Sequence, residues 1–194
     1  MGQAGITSEL KERWRALATQ WGAPIVDVDS AFDDLVASYA EPHRRYHTLE
    51  HVEEVLERVH GTEVELAAWY HDVIYDTRSN DSEERSAVYA ATALEHLGAP
   101  ADAILEVRRL IRLTAGHVVE VGDTNGRMLV DADLAILTAD RARYERYARD
   151  VRAEYSHVDD AAWRDGRTAV LQSLRSVIAD DANIVWELGT LSPS

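Results

Sequence analysis

Apolar residues recur along most of this chain at three- and four-residue spacing, as at Leu49, Val52, Leu56 and Val59, the period of one buried helical face. Punctuation divides the pattern into segments. Trp21-Gly22-Ala23-Pro24 and Leu97-Gly98-Ala99-Pro100 each place glycine where a helix ends and proline two residues later. Thr62-Glu63-Val64-Glu65 and Asn80-Asp81-Ser82-Glu83 read as N-terminal capping boxes. These marks predict helices over residues 8–21, 28–40, 48–60, 63–75, 82–97, 101–114, 126–138, 140–156 and 160–179, followed by a C-terminal tail at 180–194. No segment reads as a strand, so the expected fold is an all-α, single-domain helical bundle over residues 1–194.

Length and composition narrow the class. A chain of 194 residues suits one core, and 46% hydrophobic with 28% charged residues is ordinary for a soluble globular domain. The absence of cysteine excludes disulfides and thiolate metal ligands, and it fits a cytoplasmic protein. Lys and Arg number 20 against 35 Asp and Glu, a net charge of −15. That balance opposes polymeric nucleic acid and anionic membranes as partners, while a small anionic substrate needs only a local cluster of donors. The opening Met1-Gly2-Gln3-Ala4-Gly5 has no basic region followed by an apolar run, so no signal peptide is expected. No apolar stretch approaches membrane-spanning length.

Two segments break the hydrophobic pattern in an informative way. Ala67-Ala68-Trp69-Tyr70-His71-Asp72-Val73-Ile74-Tyr75 is apolar all round, which predicts a central buried helix, yet it carries His71 and Asp72. Met128-Leu129-Val130-Asp131-Ala132-Asp133-Leu134-Ala135-Ile136-Leu137 repeats the anomaly. A buried carboxylate needs a partner, which in either segment alone is better supplied by arginine or hydrogen bonds than by a cation. Histidines favour the cation. In Tyr46-His47-Thr48-Leu49-Glu50-His51-Val52, Thr48 is a plausible N-cap, and His47 and His51 are four residues apart. Together with His71-Asp72 and a later acid they form a set of N and O donors suited to a divalent metal. Residues two apart on a helix point roughly 200° from each other, so only one of Asp131 and Asp133 can join such a site.

The order His…His-Asp…Asp resembles the HD superfamily of metal-dependent phosphohydrolases. Tyr46-His47-Thr48-x-x-His51-Val52-x-Glu54-Val55 is similar to the Tyr-His-Asn-x-x-His-Ala-x-Asp-Val motif of cyclic nucleotide phosphodiesterases, with Thr48 and Val52 departing from it. That resemblance implies a general acid at His47 and a metal ligand at His51. His71-Asp72-Val73-Ile74-Tyr75-Asp76-Thr77 resembles the His-Asp-x-x-Glu-Asp-Thr motif of the (p)ppGpp hydrolases, whose acidic pair orients or deprotonates the attacking water. Tyr75 stands in place of the Glu, which argues against (p)ppGpp as substrate and leaves Asp76 for that role. Ala132-Asp133-Leu134 matches the Ala-Asp element that supplies the last ligand, making Asp133 the choice and Asp131 the alternate. Across residues 30–175, further runs such as Glu41-Pro42-His43-Arg44-Arg45-Tyr46-His47, Arg112-Leu113-Thr114-x-x-His117 and Val151-Arg152-x-Glu154-Tyr155 look like a small bacterial group of HD phosphohydrolases.

The resemblance therefore implies an HD-type bundle with His51, His71, Asp72 and Asp133 around a divalent transition metal (Mn, Co, Fe, Ni or Zn, with Mg also admissible). The implied activity is hydrolysis of a small phosphate ester, first of all a nucleotide or related phosphomonoester. His47 would protonate the leaving oxygen, and Asp76, expected one helical turn beyond Asp72, would take the proton of the water. Arg44 and Arg45 beside the motif are the first candidates for binding phosphate, followed by Arg167 and by His117, which is equally suited to a second metal or to the surface. His43, His60, His96 and His157 read as structural or solvated. Two other functions remain open: a diiron oxygenase on the same fold, drawing on His96 and His117, and a non-catalytic module that senses a nucleotide.

Overall fold

The computed structural model describes residues 3–191, with side chains from Ser8 onward, so Met1, Gly2 and residues 192–194 of the expected tail lie outside the described residues. The amphipathic stripes fold as α1 (Gln3–Ala18), α2 (Ile25–Tyr39), α3 (Leu49–Leu56), α4 (Thr62–Tyr70), α5 (Ser82–His96), α6 (Ala101–Leu113), α7 (Thr124–Asp133), α8 (Arg141–Glu154), α9 (Asp160–Leu174) and α10 (Ala182–Leu191). Short 3₁₀ turns at Thr19–Trp21 and Leu134–Thr138 extend α1 and α7. Among the described residues there is no strand, so the fold is all-α. No described helix is long and apolar enough to cross a membrane.

Gly22 and Gly98 end their helices at φ 79° and 76°, the left-handed region that a side chain disfavours. The expected capping boxes are shifted: α4 starts at Thr62 behind Gly61, α5 starts at Ser82 behind Asp81, and neither is closed by a side-chain bond. Thr48 flanks α3 as expected, also without a side-chain bond. The caps that do form are aspartates. Asp123 accepts the Gly126 N–H, Asp140 that of Arg143, and Asp159 those of Ala161 and Ala162.

Two apolar clusters make up the interior. The larger spans α1 to α6 and the inner face of α7, with α4 at its centre; Val64 and every residue from Leu66 to Tyr70 are buried. Rings fill it edge to face, Trp14 lying 5.6 Å from Trp69 and 5.9 Å from Tyr70 between centroids. Trp14 Nε1 donates to the Val28 carbonyl and the Tyr39 hydroxyl to that of Trp69, so these two enter the core with partners, whereas Trp69 Nε1 and the Tyr70 hydroxyl have none among the described residues. The smaller cluster joins the end of α7 to α8, α9 and α10. The expected tail is in fact largely helix α10, anchored by Asn183, whose amide donates to the carbonyls of Leu137 and Ala139.

The expected helix over 63–75 stops at Tyr70. The reason is tertiary: the buried Arg44 guanidinium donates to the carbonyls of Asp72 and Val73, and Ser86 Oγ holds both the N–H and the carbonyl of Ile74. These partners capture the groups that another helical turn would use. The outcome is a rigid non-helical segment carrying Asp72.

Candidate metal centre

Three elements of the larger cluster converge at one end of α4. His51 lies in the first turn of α3, His71 directly follows α4, and Asp133 is the last residue of α7. His51 Nε2 and His71 Nε2 face each other at 3.1 Å, and Asp133 Oδ1 lies 3.2 Å from the former and 3.6 Å from the latter. These three residues form a group able to hold a metal ion. Asp72 Oδ2 approaches the same nitrogens, at 3.1 Å from His71 and 3.8 Å from His51. Donors bound at about 2.0–2.2 Å to one small ion stand roughly 3–4 Å apart, which is the spacing found here.

The tautomer fits as well. His71 Nδ1 lies 2.9 Å from the Ala68 carbonyl, which can only accept, so Nδ1 carries the hydrogen and the neutral ring presents its Nε2 lone pair to the cluster. Burial disfavours charge on His71, yet Asp72 and then Asp133 outweigh it and lift the imidazole to about 9. Against the same opposing burial, His71 holds Asp72, and His117 and His51 hold Asp133, below the usual carboxylate range. Two half-buried acids facing two buried imidazoles form a strong local sink for positive charge.

Asp131 points the other way. Its side chain is 61% exposed and paired with Arg127 at 3.6 Å, so of the two acids it is Asp133 that enters the cluster. Asp133 also reaches His117, whose Nε2 stands 3.0 Å from Oδ2. His117 closes α6 with φ 54° and an N–H bond to the Leu113 carbonyl. A left-handed non-glycine residue costs on the order of 1–2 kcal/mol, and here it swings the ring across to the acid.

Beside the cluster, His47 is held by a residue the sequence motifs did not single out as functional. Glu154, buried at the end of α8, accepts the N–H groups of Arg45, Tyr46 and His47 on Oε1 at 2.7, 2.8 and 3.0 Å. Its Oε2 accepts His47 Nδ1 at 2.7 Å and the Tyr75 hydroxyl at 2.9 Å. The Tyr75 ring stacks on His47 at 4.1 Å. Burial alone would depress His47, but the hydrogen bond to Glu154, followed by the charge of Asp72, raises it above the ordinary histidine value. With Nδ1 donated to Glu154, Nε2 is left for a ligand.

His47, Asp72, His117 and Asp133 open onto a cleft of about 440 Å³ whose far walls come from the smaller cluster. Of the expected phosphate-binding arginines, Arg44 and Arg45 do not line that cleft. Arg44 is buried beneath the site with its nitrogens spent on Glu41 and on the carbonyls of His47, Asp72 and Val73, which makes it a backbone clamp. Arg45 is exposed and turns to the carbonyls of Pro42 and Arg44. Arg167 does line the cleft, paired with Glu187 at 2.9 Å and stacked over Tyr147. Asp76 lines a second cleft with Arg45 and His43, because the chain has left the helix before reaching it; it does not line the cleft that holds Asp72. His96 is exposed on the last turn of α5, among Asp27, Asp34 and Tyr89.

Compared with known proteins, the chain matches no family model, no curated protein and no solved structure.

Proposed function

We propose that the protein is an HD-type, metal-dependent hydrolase of small phosphate esters working in the cytoplasm. The observation that carries this reading is the convergence of His51, His71 and Asp133 beside a histidine, His47, that is oriented and kept basic by Glu154. Asp72 completes the ligand set, and a divalent transition ion (Mn, Co, Fe, Ni or Zn) suits two imidazoles with two carboxylates better than Mg, which is retained as a candidate. When bound, such an ion supplies an activated water and neutralises charge on the phosphoryl group.

The side chains divide the remaining work. His47, protonated and pinned by Glu154 and Tyr75, delivers a proton from Nε2 to the departing ester oxygen. In balance, the water oxygen bonds phosphorus, the ester P–O bond breaks, the alcohol leaves with the His47 proton, and the proton lost from water returns to His47. Glu154 acts through His47, in the way a buried carboxylate orients and charges an imidazole in other general-acid sites. Asp72 stays ionised at the edge of the cluster, held by Arg44 through its own backbone carbonyl.

A second reading, dioxygen chemistry at two irons, gains support from His117 beside Asp133 and loses His96, which is exposed elsewhere. One experiment separates the possibilities. The purified full chain is stripped with chelator, reloaded with each divalent ion, and assayed for phosphate release from a panel of monoesters and for oxygen uptake. Metal-dependent phosphate release is expected, and full release in chelator would overturn the proposal. Iron-dependent, substrate-dependent oxygen uptake without phosphate release would transfer the site to the oxygenase reading. Metal binding with neither activity would leave a sensing module.

A further inference from the structure

The cleft's chemistry is uneven, and the unevenness specifies what fits it. Its inner end holds Asp72, Asp133, His47 and His117; beyond them the walls are Leu134, Leu137, Val151, Trp163, Val170 and Leu174. Among the described residues lining it there is no lysine, asparagine, glutamine or serine. Arg167 is the one cation of fixed charge, and Glu187 already neutralises it through two bonds at 2.9 and 3.1 Å. The Thr114 hydroxyl donates to the Ile111 carbonyl and that of Tyr75 to Glu154. Glu83 adds a third carboxylate to Asp72 and Asp133.

Recognition of a nucleoside needs amides or carboxylates aimed at base edges and sugar hydroxyls, and a di- or triphosphate needs arginine or lysine. Here Asp72 and Asp133 already face imidazoles and Arg167 is neutralised by Glu187, which leaves Glu83 as the one carboxylate without an ion pair among the described lining residues, so the cleft favours neither ligand. It accepts one compact anionic head at the inner end, where a divalent cation would offset Asp72 and Asp133, and an apolar body along the walls. We infer that the substrate class is a phosphomonoester of an aliphatic or arylalkyl alcohol, with the body lying against α9 and the 3₁₀ turn Leu134–Thr138. This rests on the hydrolase reading for the identity of the head, while the apolar body follows from the walls alone.

Gly166 offers a clean probe. It lies inside α9 on the cleft wall, and a Cβ built there meets no atom within 4 Å. Gly166→Leu therefore adds apolar bulk at the cleft wall without a clash at Cβ while improving helix propensity, and its thermal midpoint should equal or exceed that of wild type. Binding of n-alkylphosphonates, which are not hydrolysed, is measured by calorimetry on the manganese-loaded full chain from methyl to octyl. Nucleoside monophosphates serve as the polar comparison, and release of phosphate from the matching alkyl phosphates is assayed in parallel.

Affinity should rise about fourfold per methylene until the cleft is full, with a negative heat-capacity change, and Gly166→Leu should cut the rise short while sparing methylphosphonate. A flat dependence on chain length, or tighter binding of AMP than of hexylphosphonate, would overturn the inference. A steep dependence in binding without phosphate release would keep the apolar-body assignment and remove the hydrolase reading. Phosphate release from nucleotides with a flat alkyl series would do the reverse.

Discussion

The two apolar clusters meet at the cleft and contribute to it differently. The larger one is filled by aromatic rings, of which Trp14 and Tyr39 bond main-chain carbonyls, and its titratable groups gather at one end, at His51, His71, Asp72 and Asp133. The smaller one has charge built through it: Arg167 pairs with Glu187, which also accepts the Tyr144 hydroxyl at 2.5 Å, and Glu154 gathers five donors. One region thus positions donors for a cation, and the other shapes the cleft and orients His47 across the boundary between them.

The largest effects should come from lesions at the centre of each cluster. Trp14→Ala removes a fully buried ring from the larger cluster and should cost about 3–5 kcal/mol. Glu187→Ala leaves Arg167 buried without its partner and should cost a similar ~3–5 kcal/mol. Titrating both variants with Mn²⁺ distinguishes the regions: Trp14→Ala should weaken metal binding as well, whereas folded Glu187→Ala should keep it. Equal loss of metal in both would mean that the two clusters do not divide the work as described.

A smaller effect is expected at the boundary. Glu154→Gln preserves shape but removes the charge that His47 and the three N–H groups use, at about 1–3 kcal/mol. Its pH dependence is diagnostic. Burial opposes ionisation of Glu154, but His47 together with the N–H groups of Arg45 and His47 draws its pKa down to about 2. Stability from a depressed carboxylate is present above its ordinary pKa of 4.5 and is lost as pH falls toward 2. His47 is raised above 6.5, so its contribution is full below 6.5 and is lost as pH rises through its folded value. Urea unfolding of the metal-free chain should therefore show the pair's contribution greatest between these limits, and Glu154→Gln should flatten both flanks. Unchanged flanks would show that the pair is not coupled.

The smallest effect belongs to Asp131→Ala. Among the described residues this exposed acid pairs only with Arg127, so unfolding should change by no more than about 0.5 kcal/mol and metal binding not at all.

The helical pattern was legible because apolar spacing of three and four residues follows directly from helix geometry, and the acid-in-an-apolar-run anomaly led to Asp72 and Asp133. Helix geometry limits the site to one of Asp131 and Asp133, and the resemblance of Ala132-Asp133-Leu134 to the Ala-Asp element picks the one that faces inward. Glu154 carried the same signal: Tyr144, Tyr147 and Val151 form one buried stripe on α8, and Glu154 continues it. Its partners are 79 to 109 residues away, so nothing local identifies what it binds. Arg44 misled for a related reason, because an arginine beside a motif is equally suited to phosphate or to main-chain carbonyls, and only the tertiary fold decides. Asp76 failed with the helix beneath it, which side-chain bonds from Arg44 and Ser86 end early.

Whether His51, His71 and Asp133 hold a metal ion is measured by equilibrium dialysis against Mn²⁺ followed by metal analysis. Wild type and Asp131→Ala should retain the ion, and Asp133→Ala, if still folded by circular dichroism, should lose it. Retention of the ion at full affinity by folded Asp133→Ala, or no metal bound by wild type, would mean that His51, His71 and Asp133 are not a metal site.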